Sequence, residues 1–431
     1  MHLSIKSYDL FYLFFTLLLV LLSNIGGMFL SFLAIWFIVY NFLKIFKTKN
    51  GVFLVIQLFM LMYSIVPLFF FLMGIYISSY QTIDADNYSN MLAVLQIQSI
   101  FNVVFFSFAP LEIDFSFSNI IKPRKNSLAW FASIFLMIIS LATVDWRSLS
   151  SYFNGVYSIE TESSIIFDYF MIFVVANQFF CDKKWKRIIN IILTIVVSVV
   201  CLMLGKRLTA ITNILLIYIL NFDGKIKKKV ILTCFFIGTC LMNAIQFIRV
   251  GQIPSLLNVL TGVNVTNGVF RSNPGDIWYA SEVIYKLIDT NVFDWSFRIK
   301  SFLGTFLNSF LTTGLTPKEA LVNIYITENN LFPYPANGGL IGVSTYLWLG
   351  YFGVIGFALI ICRIIKVGFN NKNMFSTLYA MLVLATFPRW YTYNPRILFK
   401  FAFVAIVVYL FVKIVALMGI RRNFSGDTNN E

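Results

Sequence analysis

"IINIILTIVVSVVCLMLGKRLTAITNILLIYILNF", residues 188–222, is one long apolar run broken once, at Gly205, Lys206 and Arg207. A bilayer core takes about 20 apolar residues per helix. The stretch therefore reads as two spans, 188 to 204 and 208 to 222, that meet at a charged break. Working outward, comparable runs recur from Tyr8 to Met418, at 8 to 23, 26 to 43, 52 to 77, 90 to 110, 128 to 144, 164 to 181, 230 to 249, 338 to 361, 374 to 388 and 397 to 418. This pattern predicts an all-α polytopic membrane protein with about twelve transmembrane helices.

Composition agrees. Of 431 residues, 59% are hydrophobic and 12% charged, and the mean hydropathy is +0.80, which leaves too little polar surface for a soluble globule. The first run, "YDLFYLFFTLLLVLLSN" (8–24), passes into the second without a small-residue cleavage site, so it is expected to stay as a helix. Cys181, Cys201, Cys234, Cys240 and Cys362 lie in or at the ends of expected spans and suggest no disulfide framework. The net charge of +14 is spread over loop clusters rather than one soluble domain, so no nucleic-acid partner is expected.

Alternate loops carry "KIFKTK" (44–49), "KPRK" (122–125), "DKKWKR" (182–187), "DGKIKKK" (223–229), "CRIIKVGFNNK" (362–372) and, in the tail, Arg421 and Arg422. The positive-inside rule makes these loops and both termini cytoplasmic. The remaining loops, including the "GKR" break, 250–337 and 389–396, are then external. Three blocks follow: 1–249, an N-terminal transmembrane bundle of about nine helices; 250–337, a large external segment; and 338–431, the last helices and a cytoplasmic tail. Within the large segment "NPGDIWYASEVIYKLI" (273–288) reads as a helix with Asp276 near its N-cap, and "WSFRIKSFLGTFLNSFL" (295–311) as an amphipathic or interfacial helix.

Sorted this way, the inner loops are rich in lysine, whereas the outer face holds Arg147, Arg207, Arg249, Arg271, Arg298, Arg389 and Arg396. Orientation needs only positive charge. Arginine adds a planar, always-charged fork that grips phosphate with two hydrogen bonds. Lys206 and these arginines, with Gly205 opening the next helix, point to binding of phosphate or pyrophosphate at headgroup depth. The plainer alternative is that they anchor in headgroups or pair with the outer acids Asp145, Glu160, Asp276, Glu282 and Glu328.

The lone histidine, His2, leaves no Ser-His-Asp triad and no His-rich zinc site, and no GxxxxGK[ST] loop is present. Asp276, Glu282 and Glu328 share the large loop with Arg271 and Arg298 and are the candidate general bases, against roles as a cap or a solvated charge. Asp168, inside an expected span, is a further functional candidate. No acidic pair at metal-binding spacing stands beside the arginines, Asp84 and Asp86 being the nearest approach, so neither metal nor cofactor is expected. "DIWYA", "VFDWSF", "LFPYP" and "RWYTYNP" read as aromatic belts, compatible also with a saccharide cleft.

The arrangement resembles the Wzy-type O-antigen or capsule repeat-unit polymerases of bacterial inner membranes. The likeness covers most of the chain as topology, with one large external loop before the last three helices. "LGKRLTAITNILL" is similar to the family's small-residue-then-Arg break and carries over Gly205 and Arg207. "NGGLIGVSTYLWLGYFGVIG" (337–356) is similar to its Gly-rich loop entering a helix that ends in an aromatic-glycine turn, matching Gly338, Gly339, Gly350 and Gly353. Many members carry a Glu in a "GExYLxxG" portion; this chain has Ser344 and Thr345 there, so the likeness supplies no acid at that place.

The resemblance implies a GT-C-like inner-membrane glycosyltransferase with a periplasmic active site. Its donor would be an undecaprenyl-pyrophosphate-linked oligosaccharide, its acceptor a second lipid-linked repeat unit, and its partners membrane lipids and a candidate chain-length regulator. Three rival readings are weighed. A lipid-linked oligosaccharide flippase should show related halves, and none is visible. The related O-antigen ligases carry a functional histidine in their large loop, which this chain lacks. Glycosyltransferases that use polyprenyl monophosphate sugars place acids in a large first external loop, here only "SNIGG".

Overall fold

The computed structural model describes residues 6–75, 87–111, 123, 125–142, 170–203, 207–222, 226–249, 253–266, 269–309, 317–331, 338–370 and 374–426. Among these the ordered elements are helices apart from one antiparallel hairpin, β1 (Asn264–Thr266) with β2 (Val269–Arg271). Nine helices precede it in the first block: α1 (Ser7–Ser23), α2 (Gly27–Lys47), α3 (Gly51–Leu72), α4 (Asn87–Phe108), α5 (Ser127–Ala142), α6 (Phe170–Gln178), α7 (Lys184–Met203), α8 (Arg207–Ile217, prolonged by a π-helical turn, Tyr218–Phe222) and α9 (Lys228–Arg249). Short α10 (Leu256–Thr261) leads into the hairpin. After it come α11 (Asn273–Asp289), α12 (Trp295–Leu307), α13 (Val322–Glu328), α14 (Ile341–Phe369), α15 (Met374–Ala385), α16 (Phe387–Thr392) and α17 (Arg396–Gly426).

Six helices among the described residues, in α2, α3, α4, α7, α9 and α14, are long and apolar enough to cross a bilayer, and four shorter apolar ones lie in α1, α5, α8 and α15. The chain has the build of a polytopic membrane protein. Their outward sides are apolar, as with Phe11, Phe14, Phe131, Phe135, Phe236 and Leu241.

Where α1 begins and α2 ends, the reading of Lys44 as a loop cation is corrected. α2 runs on to Lys47, and Lys44 is buried at 2% exposure. Its ammonium donates to the Asp9 carboxylate and, at 3.4 Å, to the Phe106 carbonyl. The rings of Tyr8, Tyr12 and Tyr40 stand 5.4 to 5.9 Å away. A charge leaves water only with such partners, so this cluster ties α1, α2 and α4 together. We call the opposite end, where α3 stops at Leu72 and α9 at Arg249, the upper end.

α11 does not stand off from the bundle. Every side chain from Ile277 to Ile284 is buried, the mark of a helix enclosed on all sides, and it packs on α3, α4 and α14. Its cap is Ser272, whose hydroxyl accepts from Gly275 N at 3.0 Å; Asp276, expected near the cap, lies in the first turn. The docking point is set by a proline. Pro67 has no N–H to give the carbonyl four residues earlier, and that carbonyl, on Tyr63, accepts instead from Trp278 Nε1 at 2.9 Å.

α14 is two helices. At Leu349 and Gly350 the backbone leaves helical geometry, Gly350 at φ +59°. The second half folds against the first, bringing the Trp348 and Phe357 rings to 5.3 Å. Gly353 is required there, because a Cβ would fall 2.2 Å from the Thr345 carbonyl oxygen. The expected aromatic-glycine turn therefore lies in mid-element, and the apolar segment continues to Phe369.

Ahead of α14, Gly338 takes φ +121°, open to glycine. A Cβ there would lie 2.9 Å from both Ile277 Cδ1 and the Thr392 carbonyl. The strap is held by Gly339 N on the Thr392 carbonyl (3.0 Å), Leu340 N on Ser281 Oγ (2.8 Å) and Asn323 Nδ2 on the Gly338 carbonyl (3.0 Å). It thereby joins α11 to the chain after α16.

Candidate functional site

α8 with its π turn covers Arg207–Phe222 and is nearly two turns shorter than the 22-residue α3 and α9. At 1.5 Å per residue its start is expected about 9 Å below the upper end. Contacts agree. Arg207 Nη1 reaches the Met242 carbonyl of α9 at 3.4 Å, and its charge acts on the Tyr63 hydroxyl of α3. Both partners lie more than a turn inside their helices.

α15 also stops short, at Ala385, and the chain turns into α16, with Phe387, Pro388, Trp390, Tyr391 and Thr392 buried. This corrects the reading of "RWYTYNP" as a surface belt. Trp390 Nε1 donates to the Val383 carbonyl (2.8 Å), in the last turn of α15. Arg389, pointing back, donates from Nη2 to Thr209 Oγ1 at 2.9 Å, in the first turn of α8.

A third wall comes from α11. Asn273 Nδ2 donates to the Tyr63 hydroxyl at 2.9 Å, and the Tyr393 hydroxyl donates to Asn273 Oδ1 at 3.4 Å. Deeper still, Gln98 Nε2 donates to Asn102 Oδ1 (3.2 Å) and to the Tyr391 hydroxyl (3.0 Å), while Gln98 Oε1 accepts from Gly342 N (3.2 Å). Arg207, Arg389, Thr209, Tyr63, Asn273 and Tyr393 thus make a polar cluster about the start of α8, with a buried amide network at Gln98, Asn102 and Tyr391. Two guanidinium groups and the N–H groups opening α8 give it positive potential. Such a site suits a phosphate or carboxylate anion.

The other expected residues are distributed as follows. Gly205 and Lys206 lie outside the described residues, as do Asp84, Asp86, Asp145, Arg147, Glu160 and Asp168. Arg249 is the last residue of α9, and its side chain is outside them too. Arg271 is exposed on β2, two residues before Asn273. Asp276 is one turn from Asn273 on the same side of α11. Glu282 is buried at 3% exposure beside a small cleft formed with Pro67, Phe71, Ile75, Met91 and Trp278. Glu328 faces solvent at the end of α13, 3.9 Å from the exposed Lys318. Arg396 Nη1 donates to Asn308 Oδ1 at 3.1 Å, linking α17 to the end of α12.

No known protein family, curated protein or solved structure matches the chain.

Arg298 lies beside the bend in α14 rather than beside Arg207. Its Nε donates to the Leu347 carbonyl (2.6 Å) and its Nη2 to that of Tyr346 (3.0 Å), the carbonyls left over where the helix breaks. Trp295 covers the guanidinium face at 3.9 Å. Burial pulls its pKa below the ordinary arginine value, yet an arginine stays charged at neutral pH. Arg298→Ala is expected to cost about 1–3 kcal/mol by stranding buried carbonyls, seen as a lower melting temperature of detergent-solubilised protein. Lysine, without the fork, should restore less than half of the loss.

Sequence reading missed Tyr63, Asn273, Tyr393 and Thr209. A signal existed for two of them: Tyr63 stands four residues before the proline of an otherwise unbroken apolar helix, and Asn273 opens "NPGD".

Proposed function

We propose that this chain is a membrane glycosyltransferase that polymerises lipid-linked oligosaccharide repeat units, with a recess at the polar cluster of α8, α11 and α16 holding the donor's pyrophosphate. The observation that carries the reading is that Arg389, 182 positions after Arg207, reaches Thr209 in the first turn of the helix that Arg207 opens. The resemblance in the "LGKRLTAI" and "NGGLIGVS" stretches supports it. On this reading the protein has twelve spans in the bacterial inner membrane, its termini are cytoplasmic and the upper end is periplasmic.

The reaction follows from the charges. An acceptor hydroxyl oxygen attacks the anomeric carbon of the donor sugar. The bond from that carbon to the pyrophosphate oxygen breaks, and its electron pair leaves with the lipid pyrophosphate. Arg207 and Arg389 stabilise the charge that builds on the leaving group, Arg271 standing at the rim. Asp276, nearest along α11 to the recess, takes the hydroxyl proton. Direct displacement inverts the anomeric centre.

The test is the surface-glycan ladder of a strain lacking this gene, with and without the wild-type chain. Deletion should collapse the ladder to core plus one repeat unit, and complementation should restore it. Loss of the single-repeat band as well would assign the chain to flipping or ligation, and an unchanged ladder would reject all three.

A further inference from the structure

Between α9 and the hairpin, residues 253–261 carry four large aliphatic side chains that no described residue covers: Ile253, Leu256, Leu257 and Leu260, from 46% to 98% exposed. None of the residues of α10 is buried. In water this patch would be costly to leave open.

Its position answers what covers it. Asn243 Nδ2, in α9, donates to the Val259 carbonyl at 2.9 Å, and Gly262, at φ +69°, passes so close that a Cβ would lie 2.8 Å from Asn243 Oδ1. Asn243 is six residues before the end of α9, about 9 Å along its axis. After leaving α9 the chain therefore folds back down beside it. The hairpin then lies against α3 near its upper end, Phe270 meeting Phe70 at 5.8 Å.

We infer that residues 253–261 are inserted among the acyl chains of the leaflet at the upper end. α10 packs against α9, which itself exposes Phe236, Ile237 and Leu241 and has only 6% of its apolar window buried in the protein. Protein-docking surfaces are enriched in aromatic residues, methionine and arginine; this one is wholly Leu and Ile, residues the hydrocarbon core accepts readily. The capping of α10 by Ser255, whose hydroxyl accepts from Asn258 N at 3.2 Å, keeps backbone groups satisfied at that depth. The large segment after α9 thus begins as a fold-back into the membrane.

The test places a nitroxide at Leu257→Cys, and separately at Leu256→Cys, in full-length protein carrying Cys234→Ser and Cys240→Ser. Cys181, Cys201 and Cys362 are buried. In vesicles of phosphatidylcholine and phosphatidylglycerol, collisions with oxygen should exceed those with a water-soluble nickel chelate, as for a label at Leu241→Cys and opposite to one at exposed Thr290→Cys. Dominance of the nickel chelate would place the segment in water and overturn the inference. Exclusion of both reagents, with dipolar broadening between labels, would put a second copy of the chain on the patch and overturn it equally.

Discussion

Arg207→Ala is expected to slow release of polyprenyl pyrophosphate from a lipid-linked donor by about 10²–10³-fold, the usual loss when one preorganised donor to a developing anion is removed. The side chain is placed for this. Arg207 stands at the first residue of α8, below the upper end, between the Met242 carbonyl and the Tyr63 hydroxyl. Charge there acts in surroundings drier than bulk water, where its effect is larger. Arg207→Lys should recover part of the rate, keeping charge but not the fork. Arg389→Ala should lose a similar amount. The double variant should lose less than the product of the two, because both groups would hold one anion. The measurement is turnover in reconstituted vesicles at matched protein levels, and an Arg207→Ala rate within threefold of wild type would end the assignment.

Trp278→Ala should be the most damaging single change to stability, about 3–5 kcal/mol for a large buried aromatic. Trp278 is 1% exposed and joins α11 to α3 through the carbonyl that Pro67 leaves unpartnered. Alanine would open a cavity and strand that carbonyl together. Trp278→Phe, which fills most of the space, should cost only about 1–3 kcal/mol, the part owed to the lost hydrogen bond. Thermal unfolding in detergent, followed by tryptophan fluorescence or by aggregation, separates the two, and equal melting temperatures would show that α11 is not held there.

Apolar runs made the helical build legible, since each expected segment contains a helix among the described residues. What the runs could not show is which neighbour each side chain meets. Lipid and protein interior are both apolar, so periodicity does not separate Phe131, which faces outward, from Phe101, which is buried. Trp278, Trp390 and Tyr391 looked like interfacial anchors because their polar tips need a partner; those partners are carbonyls and amides inside the fold. Arginine presented the same difficulty in reverse. Arg207 opens α8 and Arg389 reaches the first turn of that helix, whereas Arg298 serves the break in α14 and Arg396 joins helix ends. Nothing in residue type distinguishes these uses. Only the folded neighbours do.

The enclosure of α11 has a consequence for how the chain is made. Its binding surface is assembled from α3 and α4, synthesised early, and from the Gly338 strap and Thr392, synthesised last. A nascent chain ending at Arg249 would already contain α1 to α9, with the seat for Trp278 still vacant. Biogenesis thus contains a waiting period, during which early helices remain open on one side until the final segment leaves the ribosome. Truncation near the C-terminus would be felt at Tyr63, more than 300 residues upstream.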